Sequence, residues 1–212
     1  MTDLPVLHGY FRSSASYRVR IALNLKGIAY TDAFHHLRRG EHRALEFLAL
    51  NPQGLLPALE SVDGALTQSL AICEYLDAIV PEPALLPTGP FERARVRAFA
   101  LAIACDVHPL QNLTVLTRLR GAGLSEDAVT DWAREVIDEG MAACSALISD
   151  RDGPYCFGAQ VTLADLCLIP QLANARRFGA STDWPRLAAI EAACLALPAF
   201  DAARPERQPD AE

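Results

Sequence analysis

The chain has no window of eighteen uninterrupted apolar residues, so a membrane span is not expected. It has no dense run of lysine and arginine either, and its formal net charge is −7. A nucleic-acid or anionic-membrane surface is therefore not expected. None of the six cysteines, at 73, 105, 144, 156, 167 and 194, stands in Cys-x-x-Cys spacing. That argues against a zinc ribbon or a thioredoxin-type redox pair, and no metal site is expected. The start, Met1-Thr2-Asp3-Leu4-Pro5, shows no basic region followed by an apolar run, so export is not expected. Most of the cysteines sit in apolar stretches such as Leu70-Ala71-Ile72-Cys73, where a thiol behaves as a small buried hydrophobe. Together these absences point to a reducing cytoplasm.

What is present is apolar material: 51% of the 212 residues are hydrophobic and 21% charged. That supports a sizeable core in one large domain or two small ones. The first eighty residues change period repeatedly. Leu4–Tyr10 reads as a strand, and Ser16–Lys26 as a helix with Gly27 as its stop. Ala29–Phe34 reads as a second strand, followed by a polar, basic stretch over Leu37–His42 and a short helix over Ala44–Leu50. Asn51-Pro52-Gln53-Gly54 is a turn signal. Ala58–Ser61 and Ala65–Thr67 flank Val62-Asp63-Gly64, a hairpin cue, and a helix over Ser69–Ile79 follows.

Pro81–Pro90, with four prolines and a glycine, reads as a linker. Beyond it the pattern is helical over Phe91–Leu119, Ser125–Ile148, Thr162–Phe178 and Pro185–Leu197. Thr162-Leu163-Ala164-Asp165 has the signature of a capped helix start. Arg204–Glu212 reads as a loosely held tail. The expected architecture is an α/β thioredoxin-like domain over 1–82, a linker over 83–90 and an all-α domain over 91–212.

Three places in the first domain can carry chemistry. Phe11-Arg12-Ser13-Ser14-Ala15-Ser16 puts three hydroxyls between a strand and a helix, where free N–H groups and the helix dipole favour an anion. A serine there can donate to a thiolate, or simply cap the helix. Leu56-Pro57 can be a cis-proline turn that leaves Leu56 to pair with an extended peptide, or an ordinary proline at a strand start. Gln68-Ser69, at the next helix start, suits a free carboxylate or needs no ligand at all.

Several motifs follow one another along nearly the whole chain: Ser13-Ser14-Ala15-Ser16-Tyr17-Arg18-Val19-Arg20-Ile21-Ala22-Leu23, Ala49-Leu50-Asn51-Pro52, Gln68-Ser69-Leu70-Ala71-Ile72, and His108-Pro109-Leu110-Gln111-Asn112-Leu113. Pro170–Phe178 and Arg207-Gln208-Pro209-Asp210 close the series. Taken in order, they resemble the zeta class of the glutathione transferases, the maleylacetoacetate and maleylpyruvate isomerases.

The resemblance implies glutathione as cofactor, a small dicarboxylate as substrate and a homodimer. It implies that Ser13 and Ser14 face the sulfur, Leu56 pairs the cysteinyl backbone, and Gln68 with Ser69 holds the γ-glutamyl end. His42 is implied at the glycine carboxylate, and His108 and Asn112 over the tripeptide. Arg12 and Arg177 are implied as substrate anchors, the local cations that a dianion needs on an acidic protein. Ala15 stands where the class has cysteine, so a thiol at that position is not essential. Leu113-Thr114 lacks an arginine that some maleylpyruvate isomerases carry, which favours maleylacetoacetate. The competing expectations are a related transferase acting on α-halo acids and a non-catalytic binding module of the same fold.

Overall fold

The computed structural model describes residues 4–212. It divides into two compact units, one running up to Leu85 and including Ala196–Glu212, the other spanning Leu86–Leu195.

The first unit is built on a four-stranded sheet. Its strands are β1 (Val6–Gly9), β2 (Thr31–Phe34), β3 (Ala58–Ser61) and β4 (Gly64–Thr67), in the order β2-β1-β3-β4. β1 and β2 are parallel, and the other neighbours are antiparallel. Leu7 lies opposite Leu59, and both are buried, so the apolar face fixes the register. The expected hairpin is present, with Ser61 paired to Gly64 across Val62-Asp63. Gly64 has φ +117°, a conformation that favours glycine.

Helix α1 (Ser14–Leu25) is entered through Ser13, whose Oγ accepts from Ser16 N–H at 3.1 Å. It ends in a Schellman motif. Gly27 N–H donates to Asn24 O, and Ile28 N–H donates to Leu23 O. The helix is buried from Ser14 to Leu23, so it is a core element and not a surface amphipath. Helices α2 (Leu45–Leu50) and α3 (Ser69–Ile79) complete the run, with two 3₁₀ turns at Leu37–Arg39 and Glu41–Arg43. Lys26 Nζ, buried, donates to Asp77 Oδ1 and Pro83 O and so ties α1 to α3 and to the start of the proline-rich segment.

The second unit is helical: α4 (Pro90–Leu101), α5 (Leu113–Gly121), α6 (Glu126–Leu147), α7 (Leu163–Phe178) and α8 (Pro185–Leu195). The single helix expected over 91–119 is interrupted. After α4 the chain passes through a π-helical turn, Ala102–Val107, and α5 restarts only at Leu113. Pro109 brings no N–H to continue the ladder. Gly140 of α6 lies against this turn; a Cβ there would come within 2.2 Å of Val107 Cγ2. The buried face of α6 runs Val129, Ala133, Ile137, Met141, Cys144, at helical spacing.

The last segment departs from expectation. Helix α9 (Pro198–Ala202) and the residues after it belong to the first unit, not to the helices that precede them, and the tail is not loose. Its polar groups bond to the first unit: Asn24 Nδ2 donates to Ala199 O, and Phe11 N–H donates to Asp210 Oδ2. None of the six cysteines is in a disulfide, and all but Cys105 are buried. Burial pushes the Cys144 thiol up to about 12, so it stays protonated. Among the described residues no helix is long and apolar enough to cross a membrane.

The helix start at Thr162 gives a direct test. Buried Asp165 accepts from Thr162 N–H, from Thr162 Oγ1–H and from Cys156 N–H, the two backbone bonds at 2.8 Å. Asp165→Ala leaves those donors without a partner, at about 1–3 kcal/mol each. The midpoint of urea unfolding should therefore fall sharply, with a loss of about 3 kcal/mol or more.

Candidate active site

The register of the sheet decides which loops meet. His8 is opposite Ala58, Ala58 is opposite Thr67, and Gly9 is opposite Phe34. The ends of β1, β2 and β4 and the beginning of β3 therefore lie at one end of the sheet. That end carries Arg12, Ser13 and Ser14 after β1, His42 after β2, Leu56 before β3, and Gln68 with Ser69 after β4. All seven first-unit candidates are gathered there.

The turn after β1 is closed by Ser13 N–H donating to Tyr10 O at 2.9 Å. Because Ser13 Oγ accepts from Ser16 N–H, its position is set while its proton remains available to another acceptor. Ser14, the first residue of α1, is buried, and its hydroxyl bonds to no described residue. The Arg12 guanidinium lies 4.9 Å from the centroid of the Phe11 ring and forms no ion pair with a described residue.

Leu56-Pro57 is a cis peptide bond, one of the two alternatives the sequence leaves open. Asn51 Nδ2 donates to Leu55 O at 2.7 Å and holds the loop that leads into it. Gln68 has φ +69°, uncommon for a residue with a side chain, and among the described non-glycine residues it alone is positive. Such backbones cost of order 1–3 kcal/mol and cluster at ligand sites. Its amide is held by Gln53 Oε1 at 3.0 Å.

No side chain caps α3, so the first N–H groups of that helix, starting at Ser69, point outward from a positive helix end. Beneath them lies Arg18, 2% exposed, whose NH1 donates to Ser69 Oγ at 3.2 Å. Its Nε and NH2, also buried, have no hydrogen-bond partner among the described residues. His42 is half-buried with Nδ1 unpartnered. Burial, and then Arg43, hold its pKa below the ordinary histidine value.

The second unit holds the other three candidates. His108 follows the π turn, and Asn112 caps α5, its Oδ1 accepting from Leu113 N–H at 2.7 Å. Arg177 is in the last turn of α7, its guanidinium 4.8 Å from the Phe178 ring centroid. Buried Gln111 accepts from Asn174 Nδ2 at 2.9 Å, so the 108–112 segment is tied to α7 one turn before Arg177. Among the described residues no group of three or more histidine, cysteine or acidic side chains is placed to hold a metal ion.

Arg18 and Arg20 were not identified as site residues from the sequence. The signal was present: two arginines at i and i+2 on an otherwise apolar helix put at least one charge into the core.

A mixed four-stranded sheet with helices on it, bearing an uncapped helix end and a serine turn at one end, is the thioredoxin-like fold of the glutathione transferases. The helical second unit completes that architecture. Residues 7–84 match the glutathione S-transferase N-terminal domain and residues 118–193 the C-terminal domain. The chain is 48% identical to a maleylacetoacetate isomerase of Pseudomonas aeruginosa over 96% of its own length and 97% of that protein's. The holo structure of a maleyl pyruvate isomerase, a bacterial zeta-class transferase, superposes with a TM-score of 0.95 at 44% identity, covering 98% of this chain and 100% of that one. A maleylacetoacetate isomerase of Methylobacterium extorquens, solved with malonate and glutathione bound, gives 0.94 at 42% identity, over 98% of this chain and 99% of that one. The chain belongs to the glutathione S-transferase family.

The backbone at Gln68 can be tested without any ligand. Gln68→Gly should be more stable than Gln68→Ala by about 1 kcal/mol in urea denaturation, the reverse of the usual order, because only glycine adopts positive φ without strain.

Proposed function

We propose that this protein is a glutathione-dependent cis–trans isomerase of the zeta class, turning a small diacid enone such as maleylacetoacetate or maleylpyruvate into its trans isomer. The observation that carries the proposal is the Arg12-Ser13-Ser14 turn: a fixed hydroxyl with a free proton, a helix N-terminus and an unpaired guanidinium within three residues. The names of the relatives agree with it.

The donors at the sheet end suit a tripeptide carrying two carboxylates. The uncapped end of α3 with Gln68, Ser69 and the charge of Arg18 beneath suits the γ-glutamyl carboxylate. Leu56 suits the peptide backbone and His42 the glycine carboxylate; by family resemblance His108 and Asn112 belong to the same ligand. Bound glutathione supplies a thiolate that adds reversibly to the double bond, which then turns as a single bond before the thiolate leaves. Ser13, held by its bond to Ser16 N–H, donates to the sulfur and lowers the thiol's pKa. Ser14 adds a second hydroxyl at the same helix end. Arg12 and Arg177 take the substrate carboxylates, and their charge favours the negative charge that develops on the ketone oxygen.

Leu113-Thr114, in place of an arginine, supports maleylacetoacetate as the diacid. Five buried thiols, none of them in a disulfide, support a reducing cytoplasm. A homodimer is part of the same reading, by family resemblance.

The test is conversion of maleylacetoacetate and maleylpyruvate with catalytic glutathione, followed by ultraviolet absorbance. Turnover without net loss of glutathione is expected. Arg177→Ala should raise the apparent KM for the diacid at least tenfold, about 1.4 kcal/mol, while the KM for glutathione moves little. Absence of turnover on either diacid, with α-halo acids consumed instead, would replace the isomerase with a conjugating transferase.

A further inference from the structure

We propose that the C-terminal segment Ala203–Asp210 is a working part of the turn after β1, with Arg20 and Asp210 as positioning residues that hold Arg12, Ser13 and Ser14 in register. This inference rests on the assignment of that turn to the thiol and the substrate.

The polar groups of the turn can be followed one by one. Tyr10 O accepts from Ser13 N–H at 2.9 Å and from Arg20 NH1 at 3.5 Å. Phe11 O accepts from Arg20 NH2 at 3.1 Å. Phe11 N–H donates to Asp210 Oδ2 at 3.0 Å, a bond between residues 199 apart in the chain. Arg20, only 3% exposed, uses its remaining edge on the tail, Nε donating to Ala203 O at 3.0 Å. One planar guanidinium thus grips the turn on one side and the start of the tail on the other, and the end of the tail closes the clamp.

Burial holds the pKa of the Arg20 guanidinium below the ordinary arginine value, opposed first by Tyr30 and then by Asp210.

The Arg207-Gln208-Pro209-Asp210 motif, singled out in the sequence without a role, now has one. Arg207 pairs with Asp201 at 2.8 Å. Gln208 Nε2 donates to the carbonyls of Ala202 and Arg204 at 3.0 and 2.7 Å. These bonds fold the tail back so that Asp210 reaches Phe11. The residue next to Phe11 is Arg12, and Ser13 follows. A hydroxyl that must sit within hydrogen-bond reach of a sulfur loses about a hundredfold in rate when displaced by an ångström.

The test compares Asp210→Ala, Asp210→Asn, Ser13→Ala and Ser14→Ala in the isomerase assay with glutathione. Asp210→Ala should lower kcat about ten- to a hundredfold and move the lower apparent pKa of the kcat/KM profile upward. The KM for glutathione should change less than about threefold, because its carboxylate sites are elsewhere. Asp210→Asn keeps an acceptor oxygen for Phe11 N–H and should restore most of the rate, with its fold confirmed by circular dichroism. A wild-type kcat and pH profile in Asp210→Ala, with Ser13→Ala impaired, would overturn the clamp alone. Asp210→Asn folded but as slow as Asp210→Ala would overturn it too. Wild-type activity in Ser13→Ala and in Ser14→Ala would overturn both the clamp and the site it serves.

Discussion

The pairing of β1 with β3 is the constraint on which the rest of the first unit depends. Leu7 and Leu59 face each other across the two strands and are both about 1% exposed. A slip of one residue would carry both to the opposite face of the sheet and leave the core without them. On the other face His8 bonds to His35 at 2.9 Å and to Glu60 at 2.7 Å, linking three strands or their ends in the same register. With that alignment fixed, the turn after β1, the loop before β3 and the residue after β4 have no choice but to emerge together. The end of the sheet becomes a site because of where the strands stop.

Charge is distributed against the global balance at this place. The chain carries a net −7, yet Arg12 has no ion-pair partner among the described residues and Arg18 is buried with two of its three nitrogens unpartnered. Elsewhere arginines behave ordinarily: Arg120 with Glu126 and Arg95 with Asp150 are exposed pairs of small energetic weight. Burying a guanidinium with unbonded nitrogens is costly, and Arg18 under the N-terminus of α3 supports the proposed carboxylate site there. The positive φ of Gln68 is a second local cost at the same helix end. Both are imposed where a carboxylate-bearing ligand would repay them.

Local chemistry was legible in the sequence wherever one residue type forces one backbone. Gly27 stops α1, Gly64 completes the hairpin, and Ser69 opens α3 where the pattern placed them. Ser13 in fact caps α1, and the cap leaves its proton free, so capping and thiolate binding are compatible roles and not alternatives. The interruption over 102–112 is only partly legible: Pro109 marks a break in the helical pattern, whereas no residue type marks the π turn before it. The tail was misread for a different reason. Charged and proline-rich composition usually means a solvated end, but here Arg207 pairs with the Asp201 carboxylate, and Gln208 and Asp210 bond to backbone groups, all within the first unit. Composition shows which groups need partners, not which distant groups supply them.

In the proposed mechanism the turn between β1 and α1 stabilises the thiolate of bound glutathione, with Ser13 as donor. Ultraviolet titration of the thiolate absorbance in the binary complex measures this directly. The account predicts a bound thiol with a pKa well below that of a free thiol, about 8.5, and a rise of a unit or more in Ser13→Ala. A bound thiol that titrates like the free one, or a titration unmoved by Ser13→Ala, would contradict it.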